Sequence, residues 1–252
     1  MLHLSLLIVT TLAFQTPQAA NGFSTPSVDA TAPATPQTVT PELRGDIFVA
    51  RKMYREAVEA YKKAPESAPM ENKIGVAYHQ MLELDQARKH YERAAKLDPQ
   101  FAIALNNLGT VYYARKSYRR AITEYKKALA IAPNSASFLS NLGTAYFARK
   151  NYALAAETYQ QAMALDPEVF ERRSSQGVLL QERTVEERAK FDYYLAKAAA
   201  KQGHVDIAIM HVRKALEEGF KDRDKFNKEP EFLVLQDNPE FKQIMALEPK
   251  VL

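Results

Sequence analysis

The 252-residue chain has no cysteine and no tryptophan, and only eight glycines and five histidines. Without cysteine there is no disulfide framework, no thiol nucleophile and no thiolate metal site. The glycines form no Gly-x-Gly-x-x-Gly and no phosphate loop followed by Lys and Ser or Thr, so both nucleotide signatures are missing. His3, His79, His90, His204 and His211 include no His-Glu-x-x-His or other close ligand pair. No serine sits in a Gly-x-Ser-x-Gly elbow. The expectation is a non-enzyme with no catalytic residue, no metal and no cofactor. Lys and Arg number 34 against 30 Asp and Glu, and the net +4 reads as spread along the chain. A nucleic-acid partner, which wants a clustered basic footprint, is not expected.

Basic residues are also missing from the start of the chain: none precedes Arg44. Residues 2–14, LHLSLLIVTTLAF, are apolar and uncharged, and Ala19 and Ala20 follow. The stretch suits the apolar segment of a signal peptide and is too short for the ~20 residues of a bilayer-spanning helix. Residues 1–20 are therefore read as an export signal without a lipid-attachment cysteine, giving a periplasmic or secreted protein. An uncleaved N-terminal anchor is the alternative, and it would be the only membrane contact. Residues 21–39, rich in Thr, Pro, Ala and Ser, cannot bury enough apolar surface to offset ordering costs of about 1–2 kcal/mol per residue, and read as a disordered linker.

What the sequence has is repetition. NNLGTVYYARK at 106–116 returns as SNLGTAYFARK at 140–150, an offset of 34 residues. Gly75, Gly109 and Gly143 keep that offset, as do Ala87, Ala121 and Ala155, then Tyr91, Tyr125 and Tyr159, then Pro99, Pro133 and Pro167. Apolar residues three or four apart give each unit two amphipathic helices of roughly 12–14 residues. Small Gly and Ala let the two helices approach, and the tyrosines fill the space beside them. Asp98-Pro99 and Asp166-Pro167 read as an N-cap followed by a first helical residue.

These residues resemble the tetratricopeptide repeat family, most fully over 102–135 through Leu105, Leu108, Gly109, Tyr112, Ala121, Tyr125 and Pro133. The resemblance implies an all-α fold: a right-handed superhelical solenoid of antiparallel helix pairs with a short helical C-terminal cap. The array is placed at 40–169, with a degenerate first unit at 40–67 and units at 68–101, 102–135 and 136–169. An irregular insert follows at 170–188, ended by a Thr184–Glu187 capping box. A degenerate helix pair at 189–222 and capping helices at 223–252 complete the chain. In the cap, Glu229-Pro230-Glu231-Phe232 and Asn238-Pro239-Glu240-Phe241 each suggest a short helix with Phe packed inward.

The family's usual ligand face is the concave groove lined by first helices. Mapped onto this chain, the groove candidates are Asn72, Val76, His79, Ile103, Asn106, Asn107, Thr110, Tyr113, Ser140, Asn141, Thr144 and Phe147. Amides there can hydrogen-bond an extended backbone, and Tyr113 and Phe147 offer apolar shelves. A plainer role is that Asn107 and Asn141 satisfy neighbouring groups of the stack. The basic residues with which one subfamily grips a C-terminal carboxylate are replaced here by Asn72, Val76, Ser137 and Asn141, so that clamp is incomplete. The string Ala-Arg-Lys recurs at 50–52, 114–116 and 148–150, always at the turn between helices. Arg51, Lys52, Arg115, Lys116, Arg149 and Lys150 thus form a candidate basic edge, interrupted by Gln80-Met81-Leu82. Cations at helix C-termini also favour the helix dipole, by ~0.3–1 kcal/mol.

The functional expectation is a cell-envelope scaffold that binds a protein or peptide in the groove. The alternatives are an assembly factor using the basic edge and, third, an enzyme with an anion site at Arg172 and Arg173.

Overall fold

A computed structural model of the chain describes residues 39–171 and 184–247. Residues 1–38, which hold the expected export signal and all but the last residue of the expected linker, and Arg172 and Arg173 of the expected insert lie outside these described residues. All regular structure among them is helical. Four helix pairs follow one another: α1 (Pro41–Ala50) with α2 (Tyr54–Tyr61), α3 (Ala68–Gln80) with α4 (Leu84–Leu97), α5 (Ala102–Ala114) with α6 (Tyr118–Ile131), and α7 (Ala136–Ala148) with α8 (Tyr152–Leu165). A fifth pair, α9 (Val185–Lys201) and α10 (Val205–Glu217), comes after the insert. Each second helix also packs on the first helix of the next pair, so the pairs build a solenoid.

Within the pairs the repeated glycine and tyrosine meet face to face. A Cβ on Gly109 would stand 2.6 Å from Cε1 of Tyr125, and the same holds for Gly75 against Tyr91 and Gly143 against Tyr159. Gly45 and Tyr61 repeat the contact in the first unit, although its second helix is shortened to eight residues. The rings of Tyr91, Tyr125 and Tyr159 are fully buried, so they cannot swing aside.

The helix-to-helix joins use one device. The N–H of Lys116 bonds the Tyr113 carbonyl at 2.8 Å, and the N–H of Ser117 bonds the Tyr112 carbonyl at 2.8 Å. This paired closure requires a left-handed residue after the helix. Gly203 supplies it before α10, but Lys52, Leu82, Lys116 and Lys150 supply it elsewhere, with φ of 59°, 60°, 58° and 61°. In each Ala-Arg-Lys string the Ala is therefore the last helical residue, the Arg caps the helix, and the Lys makes the turn.

The unit-to-unit joins differ from expectation. Asp98 and Asp166 do not open helices; they follow the last residues of α4 and α8. The Asp98 carboxylate accepts from the Gln100 N–H at 2.9 Å while the Phe101 N–H bonds the Asp98 carbonyl at 3.1 Å. Asp166 repeats this with Glu168 and Val169. Proline sits second in each four-residue turn, where its fixed φ is pre-set, so α5 starts three residues later than the proline suggests.

Thr184 caps α9: its hydroxyl accepts from the Glu187 N–H, and the Glu187 carboxylate accepts from the Thr184 N–H, both at 3.1 Å. The helix thereby begins within the segment assigned to the insert. At the other end α11 (Lys225–Lys228), a 3-10 helix (Pro230–Leu235) and α12 (Pro239–Ala246) bury Phe226, Phe232, Leu235 and Phe241 against α9 and α10. The Asn238 side chain accepts from the Glu240 and Phe241 N–H groups to start α12.

Gly109→Ala is expected to destabilise the protein by about 1–3 kcal/mol, because the added methyl meets an immovable ring despite alanine's better helix propensity. A urea melt followed by circular dichroism measures this, and an unchanged midpoint would refute the contact.

Candidate functional site: the first-helix face and the turn edge

The asparagines of the first helices are not presented to a ligand. Asn107 donates to the Asn72 side-chain carbonyl at 2.9 Å, and Asn141 donates to that of Asn106 at 2.9 Å. Asn106 in turn donates to Asn107 at 3.4 Å. Four amides thus run as a ladder through α3, α5 and α7, each unit reaching back to the one before. Asn106 is 0% and Asn141 1% exposed, and Asn72 and Asn107 are also buried. Buried amides must find partners, and here they find each other, which withdraws all four from the candidate groove. Lys73 continues the ladder into the first pair by an ion pair with Glu42 at 2.8 Å.

Thr144 and Phe147 are likewise covered. Phe147 is 4% exposed because Phe191 and Tyr194 of α9 and Tyr152 of α8 close on its ring at centroid distances of 5.3–6.1 Å. The helix that follows the insert occupies the shelf that Phe147 was expected to offer.

What stays half-exposed is Val76, His79, Ile103, Thr110, Tyr113 and Ser140. Thr110 donates to the Asn106 carbonyl at 3.1 Å and accepts from the Tyr125 hydroxyl at 3.3 Å, so its position is fixed. His79 and Tyr113 are equivalent residues of α3 and α5. Each is braced from its own second helix, His79 edge-on to Tyr91 at 6.4 Å and Tyr113 against Tyr118 at 5.2 Å. Burial pushes the His79 pKa down, so the imidazole is neutral at pH 7 and can both donate and accept.

The net charge is unevenly placed, contrary to the reading from totals. Between Asp98 and Glu157 the only carboxylate is Glu124, against Arg115, Lys116, Arg119, Arg120, Lys126, Lys127, Arg149 and Lys150. Arg115 pairs with Asp85 at 2.7 Å and Lys127 with Glu124 at 2.9 Å. Arg120 and Lys126 lie over the rings of Tyr112 and Tyr146. All six residues of the Ala-Arg-Lys edge are exposed.

Sequence reasoning missed one buried titratable cluster. His211 of α10 is 2% exposed, with Nδ1 2.7 Å from the Asp192 carboxylate of α9. Its Nε2 lies 3.2 Å from Glu171, which Lys214 also holds at 3.1 Å. Burial alone would lower the His211 pKa, but the Asp192 and Glu171 carboxylates outweigh it and hold the pKa above 6.5, with Lys214 opposing. Hydrogen bonds from His211 and Lys214 outweigh burial and hold the Glu171 pKa down to about 2. A signal existed: Glu71 and His90 show the same 19-residue spacing and the same 2.7 Å contact. Among the described residues no group of three or more His, Asp and Glu could hold a metal ion, and no helix is long and apolar enough to cross a membrane.

Asn106→Ala removes the buried bond from Asn141 and is expected to cost about 1–3 kcal/mol in a chemical melt. A stability equal to that of the unaltered chain would return Asn106 to the list of ligand contacts. Since the folded pKa of His211 is raised, its contribution is fully present below about pH 6.5 and fades as pH rises through the folded value. His211→Gln should flatten that part of the stability–pH curve above about pH 6.5; an identical slope in both proteins would exclude His211 as its source.

A family model of the tetratricopeptide repeat matches residues 66–134 and again 100–168. A crystal structure of MamA protein is 21% identical over 75% of this chain and 93% of its own, with a TM-score of 0.50. MamA from Desulfovibrio magneticus RS-1 gives 21% identity, 69% and 90% coverage and a TM-score of 0.49. YrrB, described as a TPR protein with an unusual peptide-binding site, gives 20% identity, 49% and 66% coverage and a TM-score of 0.45. No curated protein matches the chain in sequence. With the repeat matched across three helix pairs and those pairs stacked as a solenoid, the chain carries a tetratricopeptide repeat array over residues 66–168.

Proposed function

We propose that the chain is a non-enzymatic interaction scaffold that holds an extended peptide segment of a protein partner across α3 and α5. The observation that carries this reading is the pair His79 and Tyr113. They are equivalent residues on successive first helices, half-exposed, and each is held by a ring of its own second helix. Side chains fixed before binding lose little entropy on contact, and an aromatic face beside a neutral imidazole suits an apolar residue flanked by backbone amides. Val76, Ile103 and Thr110 line the same face. The groove is short, because α9 covers the equivalent Phe147 one unit further on. The reading includes residues 1–20 as an export signal, supported by their apolar, uncharged sequence, and so a periplasmic or secreted scaffold.

Selection of binding peptides from a displayed library tests the reading. Selected peptides should lose about tenfold or more in affinity on Tyr113→Ala, in line with aromatic anchors of interfaces, with an unchanged melting midpoint. Failure to select any peptide, or peptides indifferent to both Tyr113→Ala and His79→Ala, would overturn it. Protein recovered from the periplasm with its N-terminus beyond residue 20 is the expected result for the export segment.

A further inference from the structure

The turns between paired helices carry a second surface, independent of the groove. Ion pairs set the first three of these turns side by side: Arg55 of α2 reaches Glu83 at 3.6 Å, and Asp85 of α4 reaches Arg115 at 2.7 Å. The two carboxylates flanking the second turn are thereby neutralised by cations of the neighbouring pairs. Along this edge the left-handed tips read Lys52, Leu82, Lys116 and Lys150.

Leu82 is the odd member and the informative one. It is 79% exposed, the highest value among the exposed large apolar side chains of the described residues. It also occupies a left-handed backbone position that costs a side chain about 1–2 kcal/mol relative to glycine. It packs into none of the core clusters, and the equivalent turn before α10 uses Gly203. The closing bonds from the Leu82 and Glu83 N–H groups to the His79 and Tyr78 carbonyls account for the left-handed backbone, but nothing inside the fold accounts for the exposure. A leucine held outward between lysine tips has the chemistry of a peripheral lipid contact, in which cations meet anionic headgroups and an apolar tip enters the interface. A purely acidic polypeptide would use the cations and leave the leucine in water.

We propose that this turn edge, with Leu82 at its tip and Arg51, Lys52, Arg149 and Lys150 on either side, docks on a membrane surface rich in anionic phospholipid. Membrane contact then comes from the folded array itself.

Flotation of the full chain with phosphatidylcholine vesicles containing about one part in three of phosphatidylglycerol tests this. Binding is expected at low salt, absent on pure phosphatidylcholine, and released by salt within the range that screens surface charge. Lys52→Glu with Lys150→Glu should weaken it by about tenfold or more, and Leu82→Asn by several-fold, with no loss of melting midpoint because asparagine accepts the left-handed turn. Binding unaffected by these variants would assign it to the N-terminal apolar stretch and overturn the proposal. Loss on charge reversal but not on Leu82→Asn, with polyglutamate competing equally, would assign the edge to an acidic polypeptide. The absence of any vesicle binding would refute it outright.

Discussion

The contact between a glycine and a tyrosine sixteen residues later is the constraint on which the solenoid rests. In each of the first four pairs the ring stands where a Cβ would be, so the two helices sit closer than any larger residue would allow. That separation sets how each second helix meets the next first helix, and it buries alanines such as Ala77, Ala94 and Ala128 completely. The last pair holds Ala196 and Val212 at the same spacing, both fully buried, trading a smaller partner for a larger one. Close packing of this kind tolerates little change in shape.

A second constraint acts along the stack. The asparagine ladder from Asn72 to Asn141, extended by Lys73 and Glu42, is polar and mostly buried, and it links each unit to its predecessor. Apolar packing alone would let neighbouring helices slide, whereas paired amides lose both hydrogen bonds when the register slips. The first-helix face therefore has two parts: a buried polar spine that fixes register, and a half-exposed rim of His79, Thr110 and Tyr113. The Asp192–His211 and Glu71–His90 pairs tie first to second helices in the last and second pairs by the same logic.

Most of the helix pairing was legible because it is written in residue types that leave few alternatives. A capping box at Thr184 and Glu187 and Pro-Glu-Phe after Asn238 act within one or two turns of chain, and the repeated Gly meets its Tyr only sixteen residues on. The Asp-Pro motifs misled because the same dipeptide fits both a helix start and a turn. The total charge misled because it averages over a central stretch nearly free of carboxylates.

Composition and periodicity by themselves determined that the chain folds as stacked helix pairs, since each amphipathic helix must bury its stripe against a neighbour. They did not determine which side of a helix faces water. Asn106 and Phe147 have the types of ligand contacts, yet one is consumed by Asn107 and Asn141 and the other by α9. Leu82 has the type of a core residue, yet a left-handed turn holds it out in solvent. Exposure depends on helices that arrive from tens of residues away, and only the tertiary structure brings them together.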